Sequence, residues 1–294
     1  NSIMGVSIIG CGWLGQALAK SLMTENIAVL ASYQSESTLA KLEQLTIPAA
    51  KLILPIEDVN DNIESILLNK SVDKALFNND LLVIAIPPQL KKGKIDYPKK
   101  IQQLVTLAEA GTIKKIILLN STAIYNGLEG DLNEEANLDF NAEKVEVLQA
   151  AEQVAKTFSK QVIILRLAGL VGPNRHPGKF LQSDRLFKNA SAQVNLVHQT
   201  DVVNIIMRLI NLSSESTDDI YNVVSATNSD RKQYYQAAAK AKGLSEPKFE
   251  QEECRHEGKK IVGDKLRQAL NYQYQYDDLL QWASAIEFTD ELAD

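Results

Sequence analysis

Short apolar runs alternate with longer, helically spaced segments through the first two thirds of the chain. Val6–Ile9 is a β-rich run that opens onto glycines, and Trp13–Met23 then places its apolar residues at helical intervals. Ile27–Leu30 predicts a second strand and Glu36–Leu45 a second helix. Further strands are predicted at Lys51–Leu54, Leu81–Ile86, Ile116–Leu119 and Val162–Leu165, and helices over Ile101–Ala110 and Glu143–Phe158 separate the last three. These runs are continuous rather than alternating, as in strands buried on both faces of a parallel sheet. Strand–helix alternation of this kind predicts an α/β protein with a doubly wound parallel sheet.

The rhythm changes after Leu170. The stretch VGPNRHPGKF is dense in Gly, Pro and basic residues and reads as a loop. Beyond it, helices are expected near Asp201–Leu212, Arg231–Lys242, Lys265–Leu270 and Asp277–Ile286, with one more strand at Ile220–Val224. Residues 1–170 plus 195–224 are therefore expected to form the main domain, and residues 171–194 plus 225–294 a smaller C-terminal cap.

With 294 residues, 45% hydrophobic and 23% charged, the chain has ample material for a core. Its net charge of −6 argues against a nucleic-acid partner, whose phosphates favour a basic surface. Cys11 and Cys254 are distant in sequence and form no CxxC pair, so neither a disulfide framework nor a zinc site is signalled. His176, His198 and His256 show no metal-ligand spacing, and no metal is expected. The first apolar run has no Lys or Arg before it, and no apolar stretch approaches the ~20 residues of a membrane span. A cytoplasmic protein without a membrane partner is expected.

The most specific motif is GCGWLG, Gly10–Gly15, which follows the first strand and opens the first helix. That is the G-x-G-x-x-G arrangement in the setting it requires. Gly10 permits a tight turn, Gly12 lets a pyrophosphate approach the backbone, and Gly15 lets helix and strand pack closely. The first helical turn offers backbone N–H groups and a positive dipole end to an anion. Cys11, Trp13 and Leu14 complete the loop; a helix N-terminus can acidify a thiol, yet Cys11 reads as a spacer. The motif predicts a Rossmann-type NAD(P) site. An acid at the end of the second strand would mark NAD, but that region reads Ala31-Ser32-Tyr33-Gln34-Ser35-Glu36. Hydroxyls at Ser32 and Ser35, flanking Tyr33, can bond a 2′-phosphate, so NADP is favoured over NAD. Glu36 reads as a first-turn helix acid.

GCGWLG, LLVIAIPP, LLNSTAIYN, RLAGLVGP and VNLVHQTDVV occur in the order found in extended short-chain dehydrogenase/reductases. RLAGLVGPNRHPGKF with VNLVHQTDVV resembles the YeeZ-type branch of the NAD(P)-dependent epimerase/dehydratase-like family. The resemblance spans nearly the whole chain. It implies that Ala85, Ile86, Pro87, Asn120 and Ala168 border the cofactor and that the cap binds substrate. It also implies a catalytic Ser, Tyr and Lys, the last two spaced YxxxK. In such a trio the Lys ammonium favours the phenolate and the Ser hydroxyl orients the substrate oxygen.

Ser121, four residues before Tyr125, matches the serine position, but no tyrosine lies between Tyr125 and Tyr221. Phe140 stands where the tyrosine would be, four residues before Lys144, and a gapped alignment places Ala142 there instead. Lys144 then has no phenol to tune and otherwise reads as a solvated helix lysine. Ser121 is either a ligand contact or a strand-end hydroxyl bonded to backbone. Tyr125, Arg175, His176 and His198 are candidate substrate contacts, with a satisfied structural role as the alternative for His198. Arg166 ends an apolar strand and must be paired where it is buried. The apolar residues of helices 101–110 and 143–158 serve either sheet packing or the homodimer bundle that the resemblance implies.

Two functions follow. One is an oxidoreductase or epimerase/dehydratase-like enzyme acting on a sugar-nucleotide-like or other small oxygenated substrate. The other is a non-catalytic NADP(H)-binding protein that senses redox state.

Overall fold

A computed structural model describes residues 5–57, 59, 62–179, 181, 184–212 and 219–285. The chain opens with β1 (Val6–Ile9), α1 (Trp13–Thr24), β2 (Val29–Tyr33), α2 (Glu36–Gln44) and β3 (Ala49–Lys51). Next come α3 (Ile63–Leu67), β4 (Leu81–Ile84), α4 (Tyr97–Ala110), β5 (Lys115–Ser121), β6 (Gly130–Leu132) and α5 (Glu143–Ala155). They are followed by β7 (Gln161–Leu167), β8 (Gly169–Val171), β9 (Leu186–Phe187), β10 (Leu196–His198), α6 (Gln199–Ile210) and β11 (Asp219–Val223). The last elements are α7 (Arg231–Ala241), β12 (Lys248–Phe249), β13 (Lys259–Ile261), α8 (Asp264–Leu270) and α9 (Leu279–Ser284).

Seven strands form one parallel sheet in the order β11-β7-β5-β4-β1-β2-β3, with helices flanking it, a Rossmann-like α/β fold. Every residue of β1, β4 and β7 is buried, which explains their continuous apolar runs. β1 pairs in parallel with β2 on one side and β4 on the other, so Val6 lies beside both Val29 and Leu81. The strand order therefore reverses at β1, and open α/β sheets take their ligands beyond the carboxyl ends of the strands at such a point.

Tertiary pairing moves several element ends away from the sequence expectation. β2 starts at Val29 rather than Ile27, because Asn26 turns with φ of 59° and the Ile27 N–H donates to Leu22 O at 2.9 Å. Ile27 thus closes α1. β3 covers Ala49–Lys51 rather than Lys51–Leu54, since its register follows β2, with Ala31 beside Ala49 and Tyr33 beside Lys51. Leu52 instead bridges Val72 in antiparallel fashion. α9 begins after an Asp278 cap and runs Leu279–Ser284; Ile286, the expected end of that helix, lies outside the described residues. In the expected loop, Val171 completes β8, while Phe180 lies outside the described residues.

The chain forms two compact units. The first comprises Asn1–Ile124, Phe140–Arg166 and Ile206–Ile220. In it the α4 residues Ile101, Leu104, Val105 and Leu107 and the α5 residues Val145, Val147 and Leu148 are buried within the single chain. The second comprises Tyr125–Asp139, Leu167–Ile205 and Tyr221–Asp294. Among the described residues it contains three two-stranded parallel sheets, β8–β10, β9–β12 and β6–β13. Phe187, Val194, Tyr234, Leu279 and Trp282 belong to a core of its own.

Candidate functional site

The loop between β1 and α1 is shaped by three glycines with three different constraints. Gly10 has φ of +89°, and a Cβ there would lie 2.8 Å from Ile86 N and 2.9 Å from Ala85 O. A side chain is excluded by both backbone conformation and space. At Gly15 a Cβ would lie 3.1 Å from Gly10 O and 3.3 Å from Ile8 Cγ2, so glycine lets α1 sit close against β1. Gly12 differs: a Cβ there would have nothing within 4 Å. Among the described residues no packing requires that glycine, and the space it leaves lies at the helix start. Gly12 occupies the N-cap position of α1 with no side-chain cap, and the first turn carries no acidic residue. An exposed, uncapped helix N-terminus beside an empty Cβ position fits a dinucleotide pyrophosphate.

The surrounding residues hold this loop in shape. Ser32 is buried, and its Oγ accepts the Gly10 N–H at 3.1 Å, so β2 braces the loop directly. The Ala85 N–H donates to Ile9 O at 2.7 Å, which ties in the end of β4. Ala85 and Ile86 are half-buried and Pro87 is exposed. Cys11 is buried, and desolvation pushes its thiol up to about 12, so it is a neutral spacer. Trp13 and Leu14 are half-buried at the start of α1. At the end of β2, Tyr33 is half-buried, and no carboxylate occurs from Val29 to Ser35. Ser35 caps α2, its Oγ accepting the Thr38 N–H at 3.3 Å, and Glu36 lies in the first helical turn.

At the end of β5, Asn120 turns inward. Its Nδ2 donates to Glu152 Oε2 at 2.7 Å and to Leu148 O at 3.3 Å. Arg166 of β7 closes a fork on the same carboxylate, Nε to Oε2 at 2.9 Å and Nη2 to Oε1 at 2.7 Å. Both ions are buried, and the expected partner of Arg166 is thereby identified as Glu152. Ser121 is half-buried, and its Oγ accepts the Ala123 N–H at 3.0 Å, which leaves the hydroxyl proton to be donated. Phe140 is 49% exposed. Ala142 is the N-cap of α5 without a side-chain bond, and Lys144 is exposed in the first turn of that helix.

In the second unit the candidate residues are mostly engaged. Tyr125 is fully buried, and its hydroxyl donates to Asn222 Oδ1 at 2.7 Å. Ala168 is buried, its N–H donated to Val223 O. Arg175 is exposed. His176 is buried, with Nδ1 accepting the Gly178 N–H at 3.0 Å and Nε2 donating to Ala283 O at 2.9 Å. His198 Nδ1 accepts the Thr200 N–H at 3.0 Å in the manner of an N-cap, and its ring stacks on Tyr276 with centroids 3.8 Å apart. Burial lowers its pKa to about 4, so it is neutral at pH 7. Asp201 is a residue the sequence reading did not single out. It is fully buried in the first turn of α6 and accepts from Tyr272 Oη, Gln275 N (2.7 Å) and Tyr276 N (3.0 Å). An acid in the first turn of a predicted helix, directly ahead of Val202 and Val203, was the available signal.

A sequence profile described as the NAD dependent epimerase/dehydratase family matches residues 6–223. The chain is similar to the protein YeeZ of Escherichia coli strain K12, with 32% identity over 278 residues covering 94% of this chain and 97% of that protein. Among solved structures it is similar to UDP-glucuronic acid 4-epimerase from Bacillus cereus in complex with UDP-glucuronic acid and NAD. The TM-score is 0.74 at 15% identity, over 97% of each chain. A second is UDP-N-acetylglucosamine 4-epimerase from Bacillus cereus, with TM-score 0.72 at 14% identity, over 96% of this chain and 97% of that one. At that level of identity the likeness concerns the fold.

Proposed function

Because the chain belongs to the NAD-dependent epimerase/dehydratase family, we propose that it binds NADP(H) at Gly10–Gly15 and interconverts a hydroxyl and a carbonyl on a small substrate. The observation that supports this reading best is Gly12, whose missing side chain leaves open space at an uncapped helix start. A sugar-nucleotide-like or other small oxygenated substrate is favoured, since the two epimerases of similar fold act on UDP-sugars by their names. When bound, the nicotinamide supplies hydride chemistry, and the protein supplies position and electrostatics. Ser121 donates its hydroxyl proton toward the substrate oxygen. Neither Phe140 nor Ala142 carries a titratable proton, so in this reading proton transfer runs through Ser121 and a water. His198 keeps its role as the cap of α6. The two distant free cysteines suit a reducing cytoplasm.

A second reading, a non-catalytic NADP(H) sensor, is favoured by one observation. The Tyr125 hydroxyl is donated to Asn222, and no other tyrosine precedes Tyr221 in that stretch. Calorimetric titration with NADP⁺ and NADPH separates the two. Comparable affinities support the enzyme; a tenfold preference, about 1.4 kcal/mol, supports the sensor, because a ligand shifts an equilibrium only by differential affinity. For the enzyme, Phe140→Tyr is expected to raise turnover, and an unchanged rate with intact cofactor binding counts against Phe140 as the proton-donor position.

A further inference from the structure

The end of β2 carries no carboxylate for a ribose hydroxyl and no arginine for a phosphate, so a charge that discriminates there would come from a neighbouring element. The parallel register supplies one. Tyr33, the last residue of β2, lies beside Lys51, the last residue of β3, and the Leu52 N–H donates to Tyr33 O at 3.0 Å to fix that pairing. Neighbouring strands run about 4.8 Å apart, so the lysine stands one strand spacing from the β2 end. The residue before Tyr33 is the one that holds the glycine loop, through the 3.1 Å bond from Gly10 N to Ser32 Oγ. The loop, the β2 end and the β3 end thus form one connected series. Ala50 is buried, whereas Lys51 is exposed and, among the described residues, pairs with no carboxylate. Glu36, the nearest acid in sequence, lies within the first turn of α2.

We propose that Lys51 is the specificity-determining residue for the dinucleotide, its ammonium receiving the 2′-phosphate of NADP(H) at the end of β2. This rests on the reading of Gly10–Gly15 as a dinucleotide site and assigns the charge that distinguishes NADP from NAD. An edge-strand lysine also guards against strand pairing between molecules, a role that does not depend on the ligand. The two roles give different titrations.

The test is calorimetry of the full chain and its Lys51→Ala and Lys51→Arg variants with NADP⁺ and with NAD⁺, at low and high salt. The wild type is expected to prefer NADP⁺. Lys51→Ala should lose about tenfold or more in NADP⁺ affinity, the usual effect of removing a charge-assisted hydrogen bond, with NAD⁺ affinity changed less than about twofold. Lys51→Arg should restore most of the loss, and the salt dependence of NADP⁺ binding should weaken in Lys51→Ala. Unchanged NADP⁺ affinity in Lys51→Ala, or a wild type that prefers NAD⁺, overturns the assignment and leaves the dinucleotide site standing. If the wild type binds neither nucleotide, the site itself fails and the assignment with it. Lys51 is exposed, so thermal unfolding of the variants should match the wild type.

Discussion

Replacing Glu152 with Gln tests the buried polar network that holds Asn120 of β5. Glu152 and Arg166 are 1% and 5% exposed, and the carboxylate receives three short bonds, two from the guanidinium and one from Asn120. The amide keeps the shape and removes the carboxylate charge from the fork with the buried guanidinium. Breaking one side of such a pair costs about 3–5 kcal/mol. At a urea slope of about 3 kcal/mol per M, the unfolding midpoint falls by roughly 1–2 M. The double variant Glu152→Leu with Arg166→Met removes both charges and leaves Asn120 Nδ2 with only its longer bond to Leu148 O. Its loss should be smaller than that of Glu152→Gln, because no uncompensated ion remains. Urea titration followed by circular dichroism measures all three proteins. A Glu152→Gln unfolding free energy within about 0.5 kcal/mol of the wild type, or a double variant worse than the single, refutes the reasoning.

Two further outcomes follow from single sites. Gly10→Ala should destabilise by about 1–3 kcal/mol, since φ of +89° and the backbone at 2.8 Å leave no place for a methyl group, and an unchanged Tm contradicts this. His198 has its pKa lowered from 6.5 to about 4 by burial, so between those values the unfolded chain takes up a proton that the native protein refuses. Its contribution to stability is therefore complete above about pH 6.5 and is lost as pH falls toward 4. His198→Asn, which keeps an acceptor for the Thr200 N–H, should flatten that part of the stability profile; an identical slope means another group is responsible.

What was legible in the sequence is what depends on local pattern. The β1–glycine loop–α1 unit needs only an apolar run, three glycines and a helical repeat, and Gly10–Gly15 lies where that pattern puts it. Strand ends were legible less well, because Ile27 is apolar enough to extend a strand yet is used to close α1, and β3 takes its register from β2. The pairs β6–β13, β9–β12 and β8–β10 join very short segments distant in sequence, with no run long enough to show a period. Arg166 announced that it needed a partner, but Glu152 looks like any helix acid until α5 packs on the sheet. Ser32 was legible as a hydroxyl near the end of the second strand. Its bond to Gly10 N required the fold.

The measurement that bears most directly on the dinucleotide site compares Gly12→Ala with the wild type by calorimetric titration with NADPH and by thermal unfolding. Gly12 has φ of −90° and nothing within 4 Å of a Cβ, so alanine leaves stability nearly unchanged, within about 1 kcal/mol. The methyl group occupies the space assigned to the pyrophosphate, and NADPH affinity should fall by about tenfold or more while Tm holds. Equal affinity in the two proteins, or a wild type that binds no NADPH, contradicts the account.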